Sequence, residues 1–378
     1  MRTALAPAAL VLGAALLATG CGGSADAESA DGKGPITVKQ TDTACEVARS
    51  EAPAGTVQFT VTNTGSKVNE FYVYAEGDRI MGEVENITPG LTRTFHVQLD
   101  EPGTYETACK PGMKGTGIRA EFTVTGASAA PQSTDAKLAA ATASYQRYVN
   151  AQADALGAET DKFVAAVKAK DVAKAKALYP EARKYWERIE PVAESFGDLD
   201  PKIDGRADVV DEGMKFTGYH RLEKDLWVTG LQPDSSAIAD QLAADVDTIV
   251  TKAKAVKLNP LQLANGSKAL LDEMATGKIT GEEERYSHTD MYDFAANFEG
   301  SKAAIASLRP VLQERDPALV KEIDERVKVL DGFIAQQVSG DGYRLYNQIP
   351  QADIKKLSDA LDATSESVAK VAGVVASK

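Results

Sequence analysis

Two side chains have the types and the spacing of a metal site, His220 and Glu223. Residues three apart on a helix project from the same face, so an imidazole and a carboxylate would lie side by side. Such nitrogen and oxygen ligands suit iron or zinc, and the reversed order, Glu-x-x-His, builds di-iron sites in helical bundles. The alternative is a His–Glu pair on a solvent-exposed helix face. Because the chain has only 3 histidines in 378 residues, we take the pair as the leading candidate.

Further carboxylates could complete this site. A ferric ion prefers several oxygen ligands, and Glu187 and Asp204 are the preferred third and fourth ligands. For these two residues the competing interpretation is a surface charge or a structural ion pair. A second group, consisting of Glu284, His288 and Asp290, is predicted to form another metal site or to support and orient the first one.

Peptidase chemistry is not indicated by these residues. The zinc peptidase motifs HExxH and HxxEH place a second histidine on the same helix, whereas Lys224 follows Glu223 here. The GxSxG sequence of serine hydrolases is absent from the chain as well. The candidate residues therefore favour metal binding over hydrolysis.

The predicted secondary structure divides the chain into two halves. The first half has the alternating pattern of β-strands. Alternating polar and apolar residues between turn sequences predict short strands. They predict an all-β Greek-key sandwich over residues 35–126, followed by a linker rich in Ala, Ser and Pro at 127–134. The clearest predicted strands are Thr56–Thr62, Phe71–Tyr74, Thr92–Leu99 and Arg119–Val124.

The second half, residues 135–378, has a helical pattern. Apolar residues recur there at spacings of three and four between Gly, Pro and Asn breakers. Long helices with short connections predict an all-α antiparallel helical bundle. Two of the predicted helices, Val172–Phe196 and Asp208–Val228, would carry Glu187 and the His220–Glu223 pair.

The charge of the chain restricts its partners. Its 55 Asp and Glu residues against 42 Lys and Arg residues give a net charge of −13. Nucleic-acid binding needs a basic surface and is therefore excluded as a function. A negative field concentrates cations, although it equally serves to keep a soluble surface from associating.

The first 21 residues have the features of a targeting segment. Arg2 precedes an apolar run at 8–17, and small residues lead to Cys21, as in the signal peptides of bacterial lipoproteins. Cleavage before Cys21 and lipidation of its thiol would anchor the exported protein to the outer face of the cell membrane, the periplasmic equivalent in a Gram-negative cell. Residues 22–34 would form a flexible tether. Ordinary secretion with an incidental cysteine is the alternative.

Three blocks of the helical half carry a family resemblance: Thr217–Trp227 (TGYHRLEKDLW), Trp186–Phe196 (WERIEPVAESF) and Glu282–Asp290 (EEERYSHTD). They resemble the HxxE segment and two further blocks of the imelysin-like, or peptidase M75, family. The preceding β-domain is similar to the cupredoxin-like domain of the iron-uptake members of that family. The resemblance implies a cupredoxin-like domain followed by a metal-binding bundle. It also implies that the protein works beside a haem peroxidase and a membrane iron permease.

The resemblance also raises the possibility of a metal site in the β-domain. The segment from Thr104 to Met113 resembles the copper-binding loop of a cupredoxin but lacks its histidine, which excludes a blue-copper centre. A modified site for copper or iron would use Glu70, Cys109, Met113 and Cys45. In an oxidising compartment the two cysteines could equally form a disulfide, typically worth about 2–4 kcal/mol. The same sulfurs cannot serve both purposes, and the sequence leaves both open.

The leading functional interpretation is an iron-binding lipoprotein that captures iron mainly through the helical domain and delivers it to a permease. This interpretation favours a binding and transport component over an enzyme, and it leaves enzymatic activity open. One alternative is a copper-dependent ferroxidase that uses the β-domain, which copper-dependent oxidation of Fe(II) would reveal. Another is a binder of acidic polysaccharide through metal bridges, which a chelator would abolish.

Overall fold

A computed structural model describes residues 34–127, 135–193, 195, 199–208 and 215–377. The predicted signal peptide with Cys21, the predicted tether up to residue 33 and residues 128–134 of the predicted linker lie outside this described part. No helix within it has the length and apolar character needed to cross a membrane.

The N-terminal domain consists of two β-sheets, with the strand orders β2-β1-β4-β7 and β3-β9-β8-β5-β6. The pairs β1–β4 and β3–β9 are parallel, and the other neighbours in these sheets are antiparallel. The all-β sandwich is confirmed, and the four clearest predicted strands lie within β4, β5, β7 and β9. The strands are β1 (Ile36–Gln40), β2 (Cys45–Val47), β3 (Glu51–Pro53), β4 (Gly55–Asn63), β5 (Asn69–Ala75), β6 (Arg79–Ile87), β7 (Thr92–Leu99), β8 (Gly103–Cys109) and β9 (Ile118–Thr125).

Aromatic side chains fill the space between the two sheets. Phe59 on β4 is fully buried, and its ring centroid lies 5.1 Å from Phe71 and 5.6 Å from Phe122, which belong to the opposite sheet. Phe95 on the neighbouring strand β7 lies 6.2 Å away. The alternation of β4 therefore points its apolar residues into the core of the sandwich, as its sequence pattern predicts.

A disulfide between Cys45 on β2 and Cys109 on β8 joins the two sheets. Of the two alternatives that the sequence left open for these sulfurs, the structure contains the disulfide. The prediction of a β-domain metal site with Cys45 and Cys109 as ligands is wrong for this state, because each sulfur is bonded to the other.

We expect a Cys45→Ala, Cys109→Ala double variant to lower the stability of the β-domain by about 2–4 kcal/mol, since the disulfide restricts the unfolded chain. Amide hydrogen exchange in β4 and β8 reports this domain separately from the helices. Exchange should accelerate in the variant, and a reductant should accelerate it in the wild type only. Equal exchange in both proteins would show that the disulfide adds no stability.

The C-terminal domain is a helical bundle, as predicted, with one small β-hairpin formed by β10 (Val338–Ser339) and β11 (Gly342–Tyr343). One apolar core runs through it. The helices are α1 (Ala136–Lys168), α2 (Val172–Glu187), α3 (Glu190–Ala193), α4 (Asp200–Ile203), α5 (Gly218–Lys224), α6 (Ser235–Ala255), α7 (Pro260–Thr276), α8 (Asp290–Arg315), α9 (Pro317–Ala335), α10 (Gln351–Val368) and α11 (Val371–Ala376).

Side-chain caps fix where several of these helices begin. Asp135 accepts hydrogen bonds from the first-turn N–H groups of α1, at 2.8 Å from Lys137 and 3.3 Å from Leu138. Asn259 and Gln262 form a reciprocal capping box before α7, and Pro260 occupies its first turn. Such caps satisfy N–H groups that have no partner within the helix.

Two predicted helices differ from the structure in the region of the candidate site. The predicted helix Val172–Phe196 ends at Glu187, and a separate short helix follows; Pro191 lacks an N–H and suits a first helical turn better than a helix interior. The predicted helix Asp208–Val228 begins only at Gly218, and residues 209–214 lie outside the described part.

The two domains contact each other through α7, which packs against β6 and β7. The Asn265 side chain on α7 donates a 2.7 Å hydrogen bond to the carbonyl of His96 on β7. Beside this contact lies a cleft of 1450 Å³ lined by both domains. The half-buried His96 lines the cleft.

Candidate metal centre

Helix α5 carries both members of the predicted pair and begins at a glycine for a steric reason. Gly218 has φ +77, and a Cβ at this position would collide with the carbonyl oxygen of Ile203 at the end of α4. The preceding Thr217 hydroxyl donates a 2.9 Å hydrogen bond to the carbonyl of Lys202. Close approach of the two backbones brings the start of α5 against α4, so that Asp204, which follows α4, lies beside His220.

His220 is the centre of the site because both of its ring nitrogens face carboxylates from different segments. Its side chain is 2% exposed. Nδ1 lies 3.4 Å from Oε2 of Glu223 and 3.9 Å from Oε1 of Glu284. Nε2 lies 3.6 Å from Oδ1 of Asp204 and 3.5 Å from Oε1 of Glu283, and it has no hydrogen-bond partner among the described residues. An imidazole nitrogen buried without a partner among carboxylates suits coordination of a cation.

The surroundings of His220 also determine the pKa of its imidazole. Burial and the positive charge of Arg183 oppose protonation of the ring, but its close contacts with the carboxylates of Glu223 and Glu283 and the charge of Asp204 outweigh them. The pKa of His220 is therefore raised to about 9. The protonated imidazolium acts here as a positive partner for the carboxylates, and a metal ion would take over that charge.

Glu223 is held in its ionised form at a fixed place. Its Oε1 accepts hydrogen bonds from two backbone N–H groups, at 2.9 Å from Tyr286 and 2.7 Å from Ser287. Burial raises its pKa, but the contact with His220 and these two N–H groups lower it below the ordinary value. Glu223 thus offers a preorganised anionic oxygen on the same helix face as His220.

The loop between α7 and α8 supplies further carboxylates and is tightly folded. Glu284 is fully buried, and its backbone N–H donates a 3.1 Å hydrogen bond to the Asp290 side chain. Burial and the negative charge of Glu223 raise the pKa of Glu284 well above its usual range. Burial likewise raises the pKa of Asp290 to about 6. Asp290 therefore shapes the loop that delivers Glu284 to the site.

Carboxylate and imidazole atoms close enough to share a cation form three overlapping groups within the described residues. Their ligand atoms lie within 4.8 Å of one another in each group, and all the residues are buried. The groups are Asp204–His220–Glu283, His220–Glu223–Glu284 and Glu187–Glu190–Asp204.

Two buried cations lie among these groups. Arg183, on α2, pairs with Asp204 and lies 2.5 Å from both Glu187 and Glu284. Lys278, after α7, lies 3.2 Å from Glu187 and also contacts three other Glu side chains. Burial lowers both pKa values, but the carboxylates raise them well above the usual range, so both residues are charged. They provide the permanent positive charge of the cavity.

The site opens towards the cleft between the domains. Asp204 and Glu283, which both face Nε2 of His220, line this cleft. Arg206 lies at the same edge and donates a 2.7 Å hydrogen bond to Glu283. Glu223 and Glu284 lie on the inner side of the imidazole and do not line the cleft. Of the four carboxylates around His220, a cation arriving through the cleft would therefore meet Asp204 and Glu283 before Glu223 and Glu284.

Comparison with known proteins places this architecture in a family. Residues 141–371 match the imelysin family, peptidase M75, and residues 9–124 match the cupredoxin-like domain. The chain belongs to the imelysin family. The proteins named iron uptake system component EfeO from Escherichia coli O157:H7 and from Shigella flexneri are each 36% identical to it over 346 residues. Each match covers 90% of this chain and 91% of the relative.

One solved structure is similar to a part of this chain. It is a reduced auracyanin from the photosynthetic bacterium Roseiflexus castenholzii, 20% identical to this chain, with a TM-score of 0.21. The match covers 24% of this chain and 97% of the auracyanin.

Within the imelysin domain, the four predicted ligands are divided between neighbouring groups. His220 and Glu223 lie together, and Asp204 joins His220 on the other side of the ring. Glu187 lies in the third group, where Arg183 and Lys278 hold its two oxygens. The ion-pair interpretation of Glu187 therefore describes its contacts in this structure.

The predicted second group does not assemble within the described part of the chain. Glu284 joins His220 and Glu223 instead. His288 adopts a left-handed backbone conformation with φ 59, and its N–H and carbonyl hold the loop through hydrogen bonds with Glu284 at 2.7 Å and Tyr346 at 2.8 Å. His288 thus contributes its backbone to the loop, and a supporting role for this group stays a prediction.

Several charged residues of the imelysin domain were missed by sequence reasoning, above all Glu283, Arg183 and Lys278. Glu283 stands in the acidic run 282–284, in which only Glu284 was selected. Arg183 lies four residues before Glu187, a spacing at which opposite charges meet on a helix. That spacing could have indicated the ion pair, but its complete burial depends on the packing of α2 against other helices.

In the cupredoxin-like domain, Glu70 and Met113 do not form a metal site with the cysteines. Glu70 is 4% exposed and accepts a 3.1 Å hydrogen bond from the Tyr72 hydroxyl. Burial raises the pKa of Glu70 to about 7. Met113 is 42% exposed, and Cys45 and Cys109 are joined in the disulfide. A copper-dependent ferroxidase would lack a thiolate ligand in this state.

Proposed function

We propose that this protein binds iron outside the cytoplasm through the His220 site of the imelysin domain and delivers it to a membrane permease. The observation that carries the proposal is the arrangement of four buried carboxylates from three segments around the two ring nitrogens of one buried histidine. The relatives that are named iron uptake system components support iron as the cargo.

The ligand chemistry of the site supports this cargo. Carboxylate oxygens and an imidazole nitrogen suit iron, whereas the thiolates that favour soft metals are missing from all three groups. Zinc and copper also accept His nitrogen, so they are the competing cations. A di- or trivalent ion would supply positive charge where Asp204, Glu223, Glu283 and Glu284 converge.

Titration of the full chain with iron tests the proposal. Calorimetry with Fe(II) under anaerobic conditions and with Fe(III) as the citrate complex measures affinity, and elemental analysis after dialysis measures the ion-to-protein ratio. Saturable binding that zinc and copper displace poorly is the expected result. A chain that binds no iron, or that binds zinc or copper and rejects iron, would refute the proposal.

In this proposal the interdomain cleft is the route by which iron reaches the His220 site and leaves it for the permease. Asp204 and Glu283 border the cleft, so iron can enter and leave on that side of His220 without opening the core of the bundle. A haem peroxidase of the same uptake system would act on iron before or after capture. Uptake of radioactive iron by cells that lack this protein, restored by the wild-type gene only when the permease gene is also present, would link the two.

Membrane attachment through Cys21 is part of the proposal. We expect Cys21→Ser to release the protein from the membrane into the medium or the periplasm, because multiple acyl chains provide stable anchoring. Cell fractionation with immunoblotting measures the distribution. A Ser24→Ala variant, which also alters the tether, serves as the control and should remain attached. Retention of the Cys21→Ser protein on the membrane would contradict lipidation.

A further inference from the structure

We propose that Lys278 is a built-in counter-cation that occupies the Glu187–Glu190–Asp204 group and thereby confines iron to the His220 side of the cavity. The inference rests on the proposed iron-binding function and concerns how the cavity divides its carboxylates. It makes Lys278 a specificity-determining residue that sets the number of ions bound.

The contacts of Lys278 are those of a cation in a carboxylate site. Its Nζ lies 3.2 Å from Oε2 of Glu187 and 3.3 Å from Oε1 of both Glu190 and Glu283. Glu273 lies 3.6 Å away, at the edge of the cleft. Two of the three residues that could hold an ion in this group therefore already contact an ammonium. A metal ion there would be repelled by Lys278 and would have to displace it.

The other oxygens of the group are also in use. Asp204 pairs with Arg183, which in turn lies 2.5 Å from Oε1 of Glu187. Oε2 of Glu190 accepts a 2.8 Å hydrogen bond from the Asn297 side chain. Glu223 differs, since its partners are two backbone N–H groups and His220. The protein thus places two fixed cations, Arg183 and Lys278, on the Glu187–Glu190–Asp204 group, whereas the contacts of Glu223 are with the histidine and the backbone.

The backbone around Lys278 holds the ammonium in place. The Thr280 hydroxyl donates a 2.7 Å hydrogen bond to the carbonyl of Gly277, and the Tyr346 hydroxyl donates to the carbonyl of Ile279. Gly281 has φ +73, and a Cβ there would collide with the Tyr346 ring. Because the turn is fixed on both sides and Lys278 is completely buried, its side chain is a permanent part of the cavity.

Removing the positive charge of Lys278 while keeping the approximate shape of its side chain tests the inference. Lys278→Met removes the ammonium and retains a similar apolar chain, whereas Lys278→Arg keeps a positive charge. Each full-length protein is loaded with Fe(III) citrate and dialysed, and iron per chain is measured by elemental analysis. We expect Lys278→Met to bind one more ion per chain than the wild type and Lys278→Arg to match the wild type. Addition of Glu190→Gln to Lys278→Met should abolish the extra ion.

Lys268→Met is the matched control, because Lys268 lies on α7, lines the same cleft and pairs with Asp272 outside the three groups. It should bind as much iron as the wild type. An unchanged ratio in a folded Lys278→Met protein would overturn the inference. Failure of the proposed function would instead appear as no iron on the wild type, and the difference between Lys278→Met and wild type would still decide the role of Lys278.

A second variant covers the case in which Lys278→Met does not fold. Glu187→Gln combined with Glu190→Gln keeps the ammonium and removes two charges that the inference excludes as iron ligands. The iron affinity of this protein should stay within about threefold of the wild type, measured by calorimetry. A loss of about tenfold or more would show that these carboxylates bind iron and would overturn the inference.

Discussion

We expect His220→Ala to weaken iron binding at least about tenfold, or about 1.4 kcal/mol, and the His220→Ala, Glu223→Ala double variant to lose saturable binding. The imidazole belongs to two of the three groups of candidate ligands, so its removal affects the site on both sides of the ring. In the double variant, the side that faces the core loses its nitrogen and its preorganised oxygen, and Glu284 remains as the single carboxylate of that group.

Calorimetric titration of the full-length variants with iron measures this effect. His96→Ala is the matched control, because it removes a half-buried histidine that lines the same cleft but belongs to none of the three groups. The carbonyl of His96 that accepts the interdomain hydrogen bond is retained in this control. Unchanged iron affinity in His220→Ala, or an equal loss in His96→Ala, would sink the assignment of the site.

The part of the site on one helix could be predicted from sequence. A scarce histidine three residues before a glutamate lies on one helix face wherever the helix packs, so this pair needs no knowledge of the tertiary structure. The strands of the β-domain were equally accessible, because alternation along a strand such as β4 follows from burial of one face. Both patterns are local consequences of backbone geometry.

The rest of the site depends on contacts between distant segments. Glu283 reaches His220 through a folded loop, and its neighbour Glu284 reaches the other ring nitrogen. Consecutive residues in a loop follow no periodic pattern, so the sequence does not indicate which way their side chains point. The assignment of Glu187 as a ligand assumed that its carboxylate was free, whereas Lys278 lies 91 residues away in sequence and 3.2 Å away in space.

The sequence could not predict the chemical state of Cys45 and Cys109 for a different reason. Residue types and export to an oxidising compartment allow either a disulfide or a metal site, and only the position of β2 and β8 on opposite sheets decides between them. The missing histidine already argued against blue copper. The structure adds that the two sulfurs contribute to the covalent framework of the sandwich.

Arg183→Met should destabilise the helical domain by about 3–5 kcal/mol, because removal of one partner from a buried ion pair leaves the opposite charge uncompensated. Arg183 is completely buried and pairs with Asp204, Glu187 and Glu284. It also lies 3.4 Å from Asp293, whose pKa is raised well above its usual range by burial even with the arginine present. Urea denaturation followed by the helical circular dichroism measures the free energy of unfolding.

Arg309→Met is the control, since its partner Asp324 is similarly exposed and an exposed ion pair contributes about 0–1 kcal/mol. The loss in Arg183→Met should grow as the pH rises. Buried carboxylates with raised pKa values bind protons more readily in the folded than in the unfolded state. Each of them therefore lowers the free energy of unfolding of the protein as the pH rises. At low pH the protonated carboxyls need no counter-charge and the difference should narrow. Equal stability of the Arg183→Met and Arg309→Met proteins at neutral pH would mean that the carboxylates around Arg183 are already protonated there. The cavity would then present far less negative charge to a metal ion than its contacts imply.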